Sequence, residues 1–377
     1  PNAPKPARGY NNLSKGSKDF LNKDEAKKLE QILAKFEKET SNEIVVVVVD
    51  NLAGYAPAEY ATELGHKWGV GKAKEDNGIV ILIKPKGKKG RGKNITNCAV
   101  KNTAIENKIN VIQPENLKDS IFIKKLKEIN ADLFIVVAFR MLPKEVWMMP
   151  EKGTINLHTS LLPQYKGAAP INRVLMNGED QTGITTFFIN EKIDSGKIIM
   201  QEKVNISKET TAAQLHNILM IKGSTLLEKT ITNINNNFIL IEQNNHKDLK
   251  KAPKINKEIL RINLNESAEK IHNLVRGLSP YLDKEKILKN IAICPSAFLI
   301  LENSPEEIKR IKIQLTNIEI KEKENSKALE TDNYSYLRIG FKNKWLYILH
   351  LQMEGKKSMT IKEFLNGYKI NKFAKII

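Results

Sequence analysis

Cysteine is almost missing from this sequence: Cys98 and Cys294 are the only two in 377 residues. They stand far apart and show no metal-ligand spacing, so neither a disulfide framework nor a zinc site is expected; they suggest a reducing compartment or carry no information. Long apolar runs are also missing. The longest, Ile44 to Val49, has the length of a buried strand, and nothing approaches the 20 or so residues of a membrane span. No phosphate-loop, nucleotide-binding or metal signature is present. No secretory signal is visible, although the sequence opens at Pro1 and a removed leader stays open. These shortages point to a cytoplasmic protein without a metal.

Acidic residues are the remaining shortage. Lys and Arg number 61 against 43 Asp and Glu, a formal charge of +18. Such an excess fits a polyanionic partner, most simply nucleic acid. The alternative is a Lys- and Asn-rich composition that places lysine on every solvated face. The excess is concentrated toward the end: residues 251–377 carry 24 Lys and Arg and 15 Asp and Glu, so +9 of the +18.

The length suits two or three domains. Residues 1–19 are polar and read as a disordered lead-in. Lys23 to Thr40 has helical spacing, Glu43 to Val49 reads as a buried strand, Ala56 to Trp68 as a second helix carrying His66 on its surface, and Gly78 to Ile83 as a second buried strand. Further on, Ile109 to Pro114 reads as a strand, Leu117 to Ile129 as an amphipathic helix and Asp132 to Ala138 as a strand. A loop at Phe139 to Pro143 and a short helix at Lys144 to Met149 follow. Thr210 to Thr232 reads as one helix, followed by a strand and an Asn/Lys-rich linker. Alternating strands and helices argue for a parallel sheet with covered faces, whose chemistry sits outside the carboxyl ends of its strands.

The most informative stretch is Gly153 to Pro170, GTINLHTSLLPQYKGAAP. Asn156 and His158 alternate with apolar residues, so both project from one face of a strand. Pro163 then forces a turn, and Gly167-Ala-Ala169 lets a ligand or helix approach the backbone. A carboxamide beside an imidazole at a strand end suits carbonyl chemistry. From spacing alone the competing reading is two hydrogen-bonded structural residues.

NLHTSLLPQYKGAAPINRVLMNGEDQTGITTFFINEKIDSGKII resembles the signature of the methionyl-tRNA formyltransferases, within the folate-dependent formyltransferase family. An N-x-H pair, SLLPxYrGAAPI, a TG-T strand and a D-[TS]-G loop occur in that order at family spacing. The resemblance extends from about residue 90, where GRGKNITNCAVKNTA matches a basic loop and helix. It continues into KAPKINKEILRINLNESAEKIHNLVRGLSP and LYILHLQMEGKKSMTIKEFLNGYKI, which are similar to the start and end of the family's OB-like C-terminal domain.

The resemblance implies a Rossmann-like α/β catalytic domain at 90–207, a helix and linker at 208–251, and a β-rich OB-like tRNA-binding domain at 252–377. It implies transfer of a formyl group from 10-formyltetrahydrofolate to the amino group of initiator methionyl-tRNA, by a monomer without metal. Asn156 carries over as an oxyanion donor, His158 as a polarising and proton-transfer group, and Asp194 as the partner of His158. Ser160, Leu161, Leu162 and Pro163 carry over as folate-binding backbone, and Phe139, Arg140, Met141 and Leu142 flank the pteridine. Arg91 and Lys93 belong to a basic loop facing tRNA. Where the family usually continues with a carboxylate after the D-[TS]-G loop, this chain has Lys197.

Residues 20–86 have a second resemblance. LNKDEAKKLEQILAKFEKETSNEIVVVVVDNLAGYAPAEYATELGHKWGVGKAKEDNGIVILIKPK is similar to the first half of a TPM domain, a small α/β module, and the segment spans about 20–89. It stands where a formyltransferase would begin with its own β-α-β unit, so the chain reads as a chimera joined within KPKGKKGRGK. The expectation is that the two strands of this segment enter the sheet beside Leu133–Val137. The alternative functions are a basic RNA-binding protein with a dead site, and an envelope-associated TPM-type module.

Overall fold

The computed structural model describes residues 43–48, 78–83, 99–107, 109–137, 141–234, 239–244, 248–288, 293–321 and 329–377. The helices expected at Lys23–Thr40 and Ala56–Trp68, and the junction at Lys84–Lys93, lie outside them. The chain divides into two units, Pro1–Asn156 and Leu157–Ile377. Among the described residues no helix is long and apolar enough to cross a membrane.

In the first unit, strand β1 (Glu43–Val48) pairs in parallel with β2 (Gly78–Ile83). β2 pairs in parallel with β3 (Leu133–Val137), with Ile79 opposite Leu133 and Ile83 opposite Val137. The two strands from the N-terminal segment thus enter the sheet beside Leu133–Val137, as expected. β3 is a near-continuous apolar run with four of its five residues buried, the pattern of a strand covered on both faces.

Helix α1 (Ala99–Glu106) is closed by the Ile109 amide donating to the Ala104 carbonyl at 2.8 Å. Helix α2 (Ser120–Ile129) starts later than the apolar pattern suggests because Asp119 caps it. The Asp119 carboxylate accepts from the Phe122 amide at 3.0 Å, and α2 buries Phe122 and Leu126. The strand expected at Ile109–Pro114 does not form. β2 is bonded directly to β3, which leaves no slot between them, and only Gln113 of the six residues is buried. A short helix α3 (Lys144–Trp147) leads to β4 (Thr154–His158), which follows β3 in the sheet and closes the unit at Asn156.

The second unit begins with the last two residues of β4. Helix α4 (Pro170–Met176) opens on a proline at its first turn, where the missing amide costs nothing. β5 (Gln181–Phe188) and β6 (Ile198–Asn205) are antiparallel. This departs from an all-parallel sheet, and the cause is the connection: the loop between them is too short for a crossover helix. Helix α5 (Ala212–Thr232) begins after Thr211, whose side chain forms a capping box with Gln214. Val174, Leu175, Ile184, Leu215, Leu219 and Leu226 form one buried core. Each such side chain contributes about 1.5–3 kcal/mol by its burial. Among the described residues, the strand expected after α5 forms a bridge between Ile241 and Ile198.

The rest of the second unit is β-rich. Strands β7 (Ala297–Ser304), β8 (Glu307–Ile320), β9 (Leu329–Thr331), β10 (Leu337–Phe341), β11 (Lys344–Met353), β12 (Ser358–Thr360) and β13 (Lys375–Ile376) form one antiparallel sheet. Its order is β13-β7-β8-β11-β10-β9, with β12 on β11. Helices α6 (Ala268–Arg276) and α7 (Ile361–Gly367) bury Ile271, Val275, Phe364 and Leu365 against its core. Asn172 of α4 ties the β-rich part to the preceding helices: its amide donates to the Gly277 and Ile293 carbonyls, both at 2.7 Å.

Candidate active site at the end of strand β4

Asn156 and His158 are alternate residues of β4, and both are buried. Strand pleating puts them on one face. The Asn156 carboxamide oxygen is buried with no hydrogen-bond partner among the described residues. Buried polar atoms are nearly always satisfied, so an unmet one at a strand end is an acceptor that a substrate donor could use.

His158 is held from two sides. Its Nε2 lies 3.0 Å from the Tyr165 carbonyl oxygen, and its Nδ1 lies 3.8 Å from Asp194 Oδ2. A carbonyl only accepts, so Nε2 carries a hydrogen in that bond, and Nδ1 is the nitrogen at which a proton arrives or leaves. The Phe187 ring stands edge-on to the imidazole at 6.5 Å. Asp194 sits in the left-handed region at φ +50, and its Oδ2 accepts the Gly167 amide at 2.8 Å. The adjacent Gly196 is required by space, because a Cβ there would stand 1.6 Å from the Phe188 carbonyl oxygen. Lys166 donates to Ser195 Oγ at 3.2 Å, and burial pushes its ammonium below the usual lysine range against the pull of Asp194.

The loop Ser160–Pro163 is fixed by β5 and β6. Thr185 Oγ1 donates to the Ser160 carbonyl at 2.7 Å and accepts the Leu162 amide at 3.1 Å, while Gln201 donates to the Leu162 carbonyl at 2.9 Å. Leu162 points into a small core with Phe187 and Ile198, whereas Leu161 and Pro163 are half-buried. Met141 is 72% exposed and Leu142 is buried. Phe139, Arg140, Arg91 and Lys93 lie outside the described residues. Lys197 pairs with Glu242 at 2.9 Å, both largely exposed, so the lysine that replaces a family carboxylate is compensated at the surface. Burial pushes the Cys294 thiol up to about 12, leaving it an inert thiol. Among the described residues no group of three or more His, Cys, Asp or Glu is placed to hold a metal ion.

Sequence reasoning read Gly167 only as room for close approach, and missed Tyr165, Thr185 and Gln201. Tyr165 and Gly167 act through a carbonyl and an amide, backbone groups that side-chain identity does not reveal.

The family model of the formyl transferases matches residues 20–231, and that of their C-terminal domain matches residues 254–369. The chain therefore belongs to the formyl transferase family. It is 44% identical over 292 residues to the methionyl-tRNA formyltransferase of Flavobacterium johnsoniae, covering 76% of this chain and 87% of that relative. It is 39% identical over 294 residues to that of Thermodesulfovibrio yellowstonii, covering 78% and 89%. These relatives make it a transferase of the methionyl-tRNA formyltransferase kind. A solved sugar 3N-formyl transferase, crystallised in the presence of dTDP and 5-N-formyl-THF, shares the fold with a TM-score of 0.51 at 21% identity, covering 84% of this chain and 99% of that one.

Proposed function

We propose that this chain transfers a formyl group from 10-formyltetrahydrofolate to the methionyl amino group of initiator tRNA in translation initiation. The observation that carries the reading is the buried carboxamide of Asn156, with its unmet oxygen, two residues along β4 from an imidazole that faces a buried carboxylate. The reaction joins the methionyl nitrogen to the formyl carbon and breaks the bond from that carbon to the folate nitrogen. One proton leaves the amine and one reaches the departing nitrogen.

Asn156 serves both ends of the transfer. Its oxygen accepts from the attacking amine, and its amide donates to the oxygen on which negative charge develops, a contribution of about 3–4 kcal/mol. His158 takes and returns the proton at Nδ1, and Asp194 favours the imidazolium that forms. The Ser160–Pro163 loop, anchored by Thr185 and Gln201, receives the folate along its backbone, and Phe139, Arg140, Met141 and Leu142 carry over from the family as pteridine contacts. Arg91 and Lys93 face the acceptor end of the tRNA.

The residues divide as a catalytic part at 90–207, a helix and linker at 208–251 and a tRNA-binding part at 252–377, working as a cytoplasmic monomer. Residues 20–89, TPM-like in sequence, supply β1 and β2 in place of a native first β-α-β unit, and their parallel pairing with β3 supports this. The test is incubation with 10-formyltetrahydrofolate and charged initiator tRNA, followed by mass spectrometry of the released methionine. Formylmethionine is expected with the native chain and not with His158→Ala; unmodified methionine from the native chain refutes the reading.

A further inference from the structure

The loop that holds His158 and Asp194 is itself held by the segment leading to the β-rich part. The Tyr165 amide donates to the Lys250 carbonyl at 2.6 Å, and the Ala252 amide donates back to the Lys166 carbonyl at 2.8 Å. The Ala169 amide donates to the Ala252 carbonyl at 3.1 Å, and the Lys250 amide reaches Gln164 Oε1 at 2.9 Å. The two stretches therefore run as a short parallel ladder. Gly167, at φ +126, lies so close to it that a Cβ would stand 2.5 Å from the Ala252 carbonyl oxygen.

Tyr165 is the centre of this arrangement. It is a non-glycine residue in the left-handed region, at φ +59, a conformation that persists only when its surroundings impose it. Its ring lies in the buried core, and its hydroxyl donates to Glu179 Oε1 at 2.5 Å and accepts from Asn177 Nδ2 at 3.0 Å. Lys250 Nζ meets the same Glu179 oxygen at 2.5 Å. The ladder and the side-chain latch thus fix both the backbone and the side chain of Tyr165.

We infer that Tyr165 is a positioning residue for His158: its carbonyl fixes the imidazole, and the Glu179–Asn177–Lys250 latch fixes the carbonyl. The inference rests on His158 being the proton-transferring group. A carbonyl accepting at Nε2 locks one tautomer and one ring orientation, leaving Nδ1 toward Asp194. Releasing the latch lets the strained Tyr165 backbone relax and turns the carbonyl from the ring. The basic segment at Lys250 and Lys251 is thereby joined to the imidazole through a single residue.

The test uses the full-length chain with Tyr165→Phe, Glu179→Leu, Glu179→Gln and, in parallel, His158→Ala. Tyr165→Phe keeps the ring and the backbone carbonyl and removes only the latch hydroxyl. Its kcat is expected to fall roughly tenfold or more while KM for folate and tRNA is unchanged, as for a small misplacement of a reacting group. Glu179→Leu should act alike, and Glu179→Gln, which still accepts from the hydroxyl, should restore most of kcat. Nitrogen NMR of His158 should show a single Nε2–H tautomer in the native chain and a mixture in the two latch-breaking variants. Should the folded Tyr165→Phe and Glu179→Leu proteins keep native kcat and one tautomer, with His158→Ala inactive, the positioning role falls alone. Native turnover by His158→Ala would overturn the functional reading and this inference with it.

Discussion

At the scale of single residues, the account turns on what Asn156 presents to the reacting carbon. Asn156→Asp preserves size and replaces the donor with a charge. Its kcat should drop by about 10² to 10³ with the folate Kd retained, measured by rapid-quench transfer and fluorescence titration. Gly196→Ala makes a different prediction: its Cβ collides with the Phe188 carbonyl, so the Asp194 turn must move and turnover should be lost. A folded Gly196→Ala protein with native activity would contradict the geometry.

Much of this scale was legible in the chain. Alternation put Asn156 and His158 on one face, and the motif supplied Asp194. What left no trace was the backbone. The Tyr165 carbonyl and the Gly167 amide orient the histidine and the aspartate, and any residue type carries those groups. Nor could local sequence show that Glu242 would neutralise Lys197, because nothing but folding brings them together.

Among the elements, the helices declared themselves through caps. Asp119 and Thr211 start α2 and α5 where their side chains satisfy the first amides, a residue or two inside the apolar pattern. The stretch Ile109–Pro114 misled because an apolar run is only a strand if the sheet has a free edge for it, and β2 occupies that edge of β3. The antiparallel turn of β6 follows from the short connection between Phe188 and Ile198, which leaves no room for a crossover helix.

Helix α6 carries a pH prediction. His272 is buried, with Nδ1 2.9 Å from Thr316 Oγ1 and Nε2 3.2 Å from the Lys208 carbonyl. Burial pushes its imidazole below the ordinary histidine range, outweighing the opposite pull of Glu209 and the Lys208 carbonyl, and Arg276 adds to the lowering. A depressed folded value means that the unfolded chain binds a proton first as pH falls. Stability held above about pH 6.5 is therefore lost progressively as pH drops below it. Thermal melts of the native chain should decline over that interval, and those of His272→Gln should decline less. Parallel melting curves for the two proteins would remove His272 from the explanation.

Glu179, in the latch, is also lowered, but here burial is outweighed by hydrogen bonding and charge. Burial pushes its carboxyl up, but hydrogen bonds from Lys250 and Tyr165 and the charge of Lys250 prevail and hold it below the usual carboxylate range. Its contribution is present above about pH 4.3 and disappears as pH falls through the lowered value. The stability gap between native and Glu179→Gln proteins should accordingly be open at pH 7 and close in acid.

The whole molecule is dominated by charge. A formal +18, half of it in residues 251–377, makes association with tRNA strongly electrostatic. A protein that neutralises several phosphates loses about 10³-fold or more in affinity between 50 and 200 mM salt. Filter binding of methionyl-tRNA across that range should show a steep linear fall of log K with log salt, and a flat line would deny the basic surface its role. The broad architecture, an α/β sheet followed by a β-rich part, was readable from alternating elements and from the formyltransferase resemblance. Insertion of β1 and β2 beside β3 was expected from their continuous apolar composition, which suits central strands.

The most direct measurement of the central claim is a single-turnover experiment with enzyme in excess over charged initiator tRNA and saturating 10-formyltetrahydrofolate. The native chain should formylate the bound methionine in one exponential phase. Asp194→Asn should bind both substrates equally well and slow that phase by at least tenfold, because the imidazolium loses its counter-charge. Identical phases for the two proteins would show that the paired His158 and Asp194 take no part in the transfer.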